Sequence, residues 1–156
     1  MRAIIDNILS KMLVFLMGIM VINVLWQVAS RYLVGSPSTF TDELAGFLLI
    51  WVGLLGAGYG TGQGLHLAID ILPNAVEGKK KEILDYVING FVALFALMVM
   101  VIGGARLVFL TLDLEQLSSA LEIPLGYVYL VVPLSGAVMV YYSIHNIIKG
   151  LKDGSN

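Results

Sequence analysis

The residues best suited to chemistry are His66 and Asp70, four positions apart, preceded by the glycine-dense stretch Gly58–Gly64, "GYGTGQG". In a soluble enzyme such glycines can cradle a phosphate on backbone N–H groups, and a histidine–carboxylate pair can move a proton. That chemistry has a structural requirement: a phosphate loop of the dinucleotide type follows a strand and opens a helix. Here the glycines lie at the end of an uncharged run from Leu44 to Leu65. They close an element instead of opening one, so the nature of that element decides what His66 and Asp70 can do.

The chain has 156 residues, of which 58% are hydrophobic and 13% charged. Soluble domains carry about 25% charged residues. A chain this poor in charge cannot cover a water-facing surface, so the composition predicts a membrane protein. The net charge of −2 leaves no basic footprint, so no nucleic-acid partner is expected. The absence of cysteine excludes disulfides, thiolate catalysis and cysteine-ligated metals.

Four long uncharged runs stand out: Met12–Ser30, Leu44–Leu65, Tyr86–Ala105 and Ile123–Ile144. A bilayer core about 30 Å thick needs roughly 20 helical residues, and each run is long enough. Backbone groups in lipid must be bonded internally, which makes each run a helix. A membrane β-barrel needs alternating segments of about 10 residues, and these runs do not alternate. The expected fold is therefore all-α, an integral membrane domain over 1–156 with spans near 10–34, 41–63, 83–107 and 123–147 and an interfacial segment over 64–78. The start, "MRAIIDNILSK", is weighed against a secretory signal; its apolar part is too long, and Arg31-Tyr32 stands where a cleavage site belongs, so a retained helix is expected. Residues 2–12 either lie on the membrane surface as an amphipathic helix or prolong the first span.

Four spans place both termini on one side, which should be the side rich in Lys and Arg. With the termini inside, the cytoplasmic pieces hold Arg2, Lys11, Lys79, Lys80, Lys81, Lys149 and Lys152, against Arg31 and Arg106 outside. Both termini are therefore expected to be cytoplasmic. The outer face then carries Asp42, Glu43, Asp113, Glu115 and Glu122. Thr39 or Thr41 is expected to cap the second helix, with Asp42 and Glu43 in its first turn. Pro124 suits the start of the fourth helix, and Pro133 should bend it.

No Asp, Glu, Lys, Arg or His lies near the middle of any span. Such residues mark ion and substrate paths, and placing one there costs at least about 2.5–3.5 kcal/mol. A proton-coupled exporter needs a buried carboxylate, a haem-bearing anchor needs facing histidines, and an intramembrane protease needs a serine and histidine at one depth. None of these sets is present, so neither an enzyme nor a cofactor or metal site is expected. The polar residues within the spans, Asn23, Gln27 and Ser135, serve either interhelical hydrogen bonds or a polar path. In the second helix, Gly53, Gly56 and Gly60 with Trp51 form a small-residue face for close helix packing, either within the chain or against another membrane chain. His66 and Asp70 share a face if helical, yet Leu65, Leu67, Ile69 and Ile71 alternate as in an extended run. In both cases the pair reads as an interfacial anchor.

The order of motifs in "WQVASRYLVGSPSTFTDELAGFLLIWVGLLGAGYGTGQGLHLAIDILP" carries a resemblance. Arg31-Tyr32 closes the first helix, Phe40-Thr41-Asp42-Glu43 opens the second, Trp51 follows, then the glycine run, then His66 and Asp70. The chain resembles the small membrane subunit of TRAP transporters, the tripartite ATP-independent periplasmic transporters (the DctQ-like family). Phe40 departs from the tryptophan common there but keeps the aromatic character. The resemblance implies a bacterial inner-membrane scaffold that packs beside a large membrane subunit and among lipids. It also implies that the scaffold helps a periplasmic substrate-binding protein dock, for sodium-coupled uptake of a C4-dicarboxylate or sialic acid. On that reading Arg31, Asp42, Glu43 and Glu122 either meet the binding protein or fix the angle between the first two helices, through pairing of Arg31 with Asp42 or Glu43. A solvated rim is the plainer use of these charges. The alternative to a transporter subunit is the membrane anchor of a redox complex, which the lack of paired histidines disfavours.

Overall fold

In a computed structural model of the chain, the structure describes residues 2–33, 35, 38–64 and 79–153. Among these the chain is helical: α1 spans Arg2–Leu33, α2 Thr39–Gln63, α3 Lys79–Phe95, a π-helical stretch Ala96–Gly103, α4 Gly104–Asp113, α5 Leu125–Tyr129 and α6 Val131–Asp153. Four segments are long and apolar enough to cross a membrane: Arg2–Leu33, Thr39–Gln63, Ile83–Asp113 and Leu125–Gly150. The N-terminal segment prolongs the first helix without a break. Among the described residues the only strand-like pairing is an isolated antiparallel bridge between Leu117 and Pro124.

Helix ends follow local chemistry. Ser38 caps α2: its Oγ accepts the N–H of Thr41 at 3.4 Å, and Thr41 Oγ1 donates back to the Ser38 carbonyl at 3.0 Å. The cap thus falls at Ser38 and not at Thr39 or Thr41, the two residues expected from sequence, because both lie inside the helix and a cap must precede the first helical residue. At the other end Gly64 sits at φ 72°, and its N–H bonds the Thr61 carbonyl at 3.3 Å. A left-handed residue just past a helix end is most cheaply a glycine. Beyond Gly64, the interfacial segment expected over 64–78, with His66 and Asp70, lies outside the described residues. The fourth span breaks at Leu130, between α5 and α6, three residues before Pro133. Proline has no N–H for the carbonyl four residues earlier, here that of Tyr129, and its ring crowds that carbonyl.

The chain divides into two compact units, residues 1–56 with 106–131 and residues 57–105 with 132–156. The first buries Leu9, Leu55, Val108, Val128 and Val131, together with the polar Asn23, Ser30, Thr41, Thr111 and Ser118. The second buries Ile88, Ala96, Met100 and Tyr142, with Thr61, Ser135 and Ser143. Large apolar residues such as Val14, Phe15, Ile22, Trp26, Phe91 and Phe109 are exposed on the spans. In water this would be costly; against lipid tails, which are as apolar as leucine, it carries no penalty.

The second unit is held by glycines. A Cβ placed on Gly62 would meet the Tyr142 ring at 2.7 Å, and one on Gly58 would meet Val138 Cγ1 at 3.3 Å. Gly136 likewise faces Met100 Cβ at 2.6 Å and the Val101 backbone nitrogen at 3.1 Å, and Gly104 faces Val132 Cγ1 at 2.8 Å. Gly136 thus presses on the middle of the π-helical stretch, and Gly104 directly follows its C-terminal end. Asn146 adds a polar tie, donating to the Thr61 carbonyl at 3.3 Å.

Candidate functional site

The polar side chains of the first unit gather where α1 ends, α2 begins and the loop between α4 and α5 turns back. Three elements supply them. From α1, Asn23 Nδ2 donates to the Thr41 carbonyl at 2.7 Å, and Gln27 Nε2 donates to Asp42 Oδ1 at 2.7 Å. Asn23 is buried. Its bond is worth about 0.6–2 kcal/mol in lipid, where no water competes. Both residues therefore make interhelical bonds. Ser135, also read as polar and intramembrane, instead donates to the carbonyl of Val132 in its own helix at 3.0 Å.

Arg31 does not pair with Asp42 or Glu43, one of the alternatives weighed for these charges. Asp42 takes its hydrogen bond from Gln27, and Glu43 turns to the α4–α5 loop. Arg31 is exposed and makes no ion pair among the described residues; it lines an open cleft of about 370 Å³ with Gln27, Val28, Ser38, Thr39 and Asp42. The angle between α1 and α2 is thus tied by Asn23 and Gln27 rather than by an Arg31 ion pair. A second, mainly apolar groove of about 420 Å³ on the same helix pair is lined by Ile19, Ile22, Trp26, Phe40 and Leu44, with Asn23, Ser38 and Thr41.

Glu43 has the most developed set of partners. Its Oε1 accepts the N–H of Ser119 at 2.9 Å, and its Oε2 accepts the N–H groups of Ala120 and Leu121 at 2.8 Å each. Three successive backbone N–H groups converging on one carboxylate form an anion nest, here filled by the chain's own side chain. Hydrogen bonds to an ionised acceptor are shorter and stronger than neutral ones. The loop is shaped to present them. The Ser118 N–H bonds the Ile123 carbonyl at 2.9 Å, the Leu125 N–H bonds the Gln116 carbonyl at 2.9 Å, and Ser118 Oγ accepts the Ile123 N–H at 3.4 Å. Glu115 and Glu122 bound the turn at φ 49° and 51°, left-handed conformations that a non-glycine residue adopts at a cost of about 1–3 kcal/mol. Glu122, expected at a docking face, is exposed and serves as one of these corners. One helical turn beyond Leu125 the segment is held again: Trp51 Nε1 donates to the Val128 carbonyl at 3.0 Å. Trp51, expected as a subunit-packing residue, is therefore also a bond between α2 and α5.

The expected packing glycines show a second pattern. A Cβ added to Gly53 or Gly56 would meet nothing within 4 Å, and Gly60 is half-buried. Gly58 and Gly62, which sequence reading did not single out for packing, are the ones pressed against α6. Residues two apart on a helix lie about 200° apart, so α2 carries glycine ladders on opposite faces. The signal for the Gly58–Gly62 ladder was present, since those residues are also four apart, but spacing alone could not choose between the two. The nest was not legible at all, because backbone N–H groups leave no mark in side-chain chemistry.

Among the described residues no cluster of three or more His, Asp or Glu residues is placed to hold a metal ion. Four helices long and apolar enough to cross a membrane, with polar groups turned onto the chain's own backbone, define a polytopic membrane component. Residues 20–153 match the family described as "Tripartite ATP-independent periplasmic transporters, DctQ component", and the chain belongs to that family. It is therefore a small permease component of a transporter and not an enzyme. It is 30% identical over 107 residues to the C4-dicarboxylate TRAP transporter small permease protein DctQ of Rhodobacter capsulatus, covering 69% of this chain and 47% of that protein. It is 25% identical over 151 residues to the ectoine TRAP transporter small permease protein TeaB of Halomonas elongata, covering 94% of this chain and 78% of that one. A match to the sialic acid TRAP transporter small permease protein SiaQ of Vibrio cholerae is 28% identical over 81 residues, 52% of this chain and 47% of that one. The matched stretch thus spans about half the length of two of these relatives.

Proposed function

We propose that the chain is a static scaffold of a TRAP transporter in the bacterial inner membrane, with both termini in the cytoplasm. On this reading it packs beside the large membrane subunit and helps a periplasmic substrate-binding protein engage. The cargo is an organic acid taken up with sodium, of the C4-dicarboxylate or sialic acid class. The observation that carries the reading is how the chain uses its polar groups. Asn23, Gln27, Glu43 and Trp51 all bond its own backbone or an adjacent helix, which suits a part that holds shape. The face of α2 bearing Gly53, Gly56 and Gly60 is the proposed contact for the large subunit, since small residues let two helices approach closely. His66 and Asp70 are proposed as the anchor at the cytoplasmic membrane surface. Arg31, Asp42, Glu43 and Glu122 lie on the elements that would face the periplasm, within reach of a docking protein.

Reconstitution tests the reading. Vesicles containing this chain alone, with a sodium gradient, should accumulate no organic acid; adding the large subunit and the binding protein of the same system should start uptake. Uptake by this chain alone would overturn the scaffold reading, as would full uptake by the large subunit and binding protein without it.

A further inference from the structure

The third span leaves the α-helix over Ala96–Gly103, the π-helical stretch. Its sequence, ALMVMVIG, does not require this: it has no proline, its one glycine comes last, and alanine, leucine and methionine are among the best α-formers. π turns are rare and occur mostly as single-turn bulges within α-helices. A cause outside the stretch is therefore needed, and α6 supplies one. A Cβ on Gly136 would stand 2.6 Å from Met100 Cβ and 3.1 Å from both Val101 Cγ2 and the Val101 backbone nitrogen. Met100 is buried, as is Ala96 one turn before it. The middle of the wide turn thus occupies the space that a side chain at position 136 would fill. After the stretch, the Gly104 N–H points at three carbonyls, those of Val99, Met100 and Val101, where the span returns to α-helix. A Cβ on Gly104 would meet Val132 Cγ1 at 2.8 Å and Pro133 Cδ at 3.1 Å, so a second position without a side chain seats this return against the start of α6.

We propose that the π stretch and Gly136 form a latch: the wide turn persists because α6 offers no side chain at that point, and the pair fixes the register of the third span in the second unit. A π turn holds one residue more than an α turn, since its hydrogen bonds close over five residues instead of four. That residue is the slack the latch holds. Were the turn to close to α-helix with the chain intact, one flank would rotate by about 100° and advance by about 1.5 Å relative to the other. Leu97, Met98, Val99 and Ile102, now exposed, would no longer present the same surface. The latch therefore decides which residues of this stretch face outward. It belongs to this chain's own fold, so its test needs no other subunit.

The bulge and the missing side chain can be removed separately and together. Gly136→Ala fills the seat. Deletion of Val99 takes out the extra residue and lets the span run as continuous α-helix with Gly104 still opposite Val132. Thermal melts are recorded for the full chain in detergent. Each single change should lower the midpoint by about 5 °C, and the double variant should return to within about 2 °C of wild type. The recovery is expected because the added methyl enters the space that the withdrawn turn leaves. Deleting Phe91 from α3 instead shifts a regular helix, and Gly136→Ala should not rescue that loss. Losses that simply add in the double variant would overturn the latch, and so would a Val99 deletion that melts like wild type. Amide hydrogen exchange decides the matter if the deletion does not fold. Gly136→Ala should speed exchange at Val101 to Gly104 at least tenfold. Gly58→Ala, whose Cβ meets Val138 Cγ1 of the same helix at 3.3 Å, should leave those amides unchanged. Equal exchange in these two variants would mean that Gly136 does not hold the turn, which overturns the proposal.

Discussion

The two units of this protein reach order by different means. In residues 1–56 with 106–131, the contacts that join elements are directional: Asn23 to Thr41, Gln27 to Asp42, Glu43 to three loop amides, Trp51 to Val128. In residues 57–105 with 132–156, they are mainly steric: Gly58, Gly62, Gly104 and Gly136 let neighbouring side chains and backbone come close, with Asn146 adding a hydrogen bond to Thr61, whereas the first unit has one such close approach, Gly126 against Leu112. The difference follows from what each must hold. A turning loop exposes backbone donors and acceptors that need partners, and hydrogen bonds aim well at them. Spanning helices have already satisfied their backbone, so close packing and a few side-chain hydrogen bonds are left to bind them.

Substitutions that respect or violate this division should separate the units by effect size. The largest effect is expected from Gly136→Leu, because the new side chain meets Met100 Cβ and the backbone of Val101, which cannot swing aside. Overpacking of this kind costs about 3 kcal/mol, and thermal unfolding of the purified chain in detergent should fall by many degrees. A melt within a degree or two of wild type would remove the steric description of the second unit. Gly62→Ala should cost less, about 1–2 kcal/mol, since it adds one carbon only, although that carbon would meet the buried Tyr142 ring at 2.7 Å and the ring must shift to admit it. Its melt should fall between those of Gly136→Leu and wild type. In the first unit Asn23→Ala removes one buried interhelical bond and should cost about 1 kcal/mol. A loss as large as that of Gly136→Leu would mean that hydrogen bonds, not packing, dominate throughout. The smallest effect on the chain itself is expected from Gly56→Leu, within about 0.5 kcal/mol, because nothing lies within 4 Å of the added carbon. The same variant should lose co-purification with the large subunit. Retained assembly would show that this face of α2 meets lipid instead.

The sequence by itself determined the class of the molecule. Residues 12–30, 44–65, 86–105 and 123–144 are too apolar and too long for anything but helices in a membrane, whatever their neighbours. It also determined that Asn23 and Gln27 need partners, since an amide within an apolar helix must bond to something. The order of Arg31-Tyr32, Asp42-Glu43 and Trp51 was enough to suggest the family to which residues 20–153 belong. Only the tertiary structure decided between alternatives that local pattern left equal. Two glycine ladders run along α2 with the same spacing, and packing against α6 selected Gly58 and Gly62. Arg31 and the acids next to it suggested an ion pair, but Gln27 and the loop amides took those carboxylates instead. The reason is physical. Hydropathy and helical period are properties of neighbouring residues, whereas the partner of Glu43 is a set of backbone N–H groups that exist as donors only after a distant loop has turned.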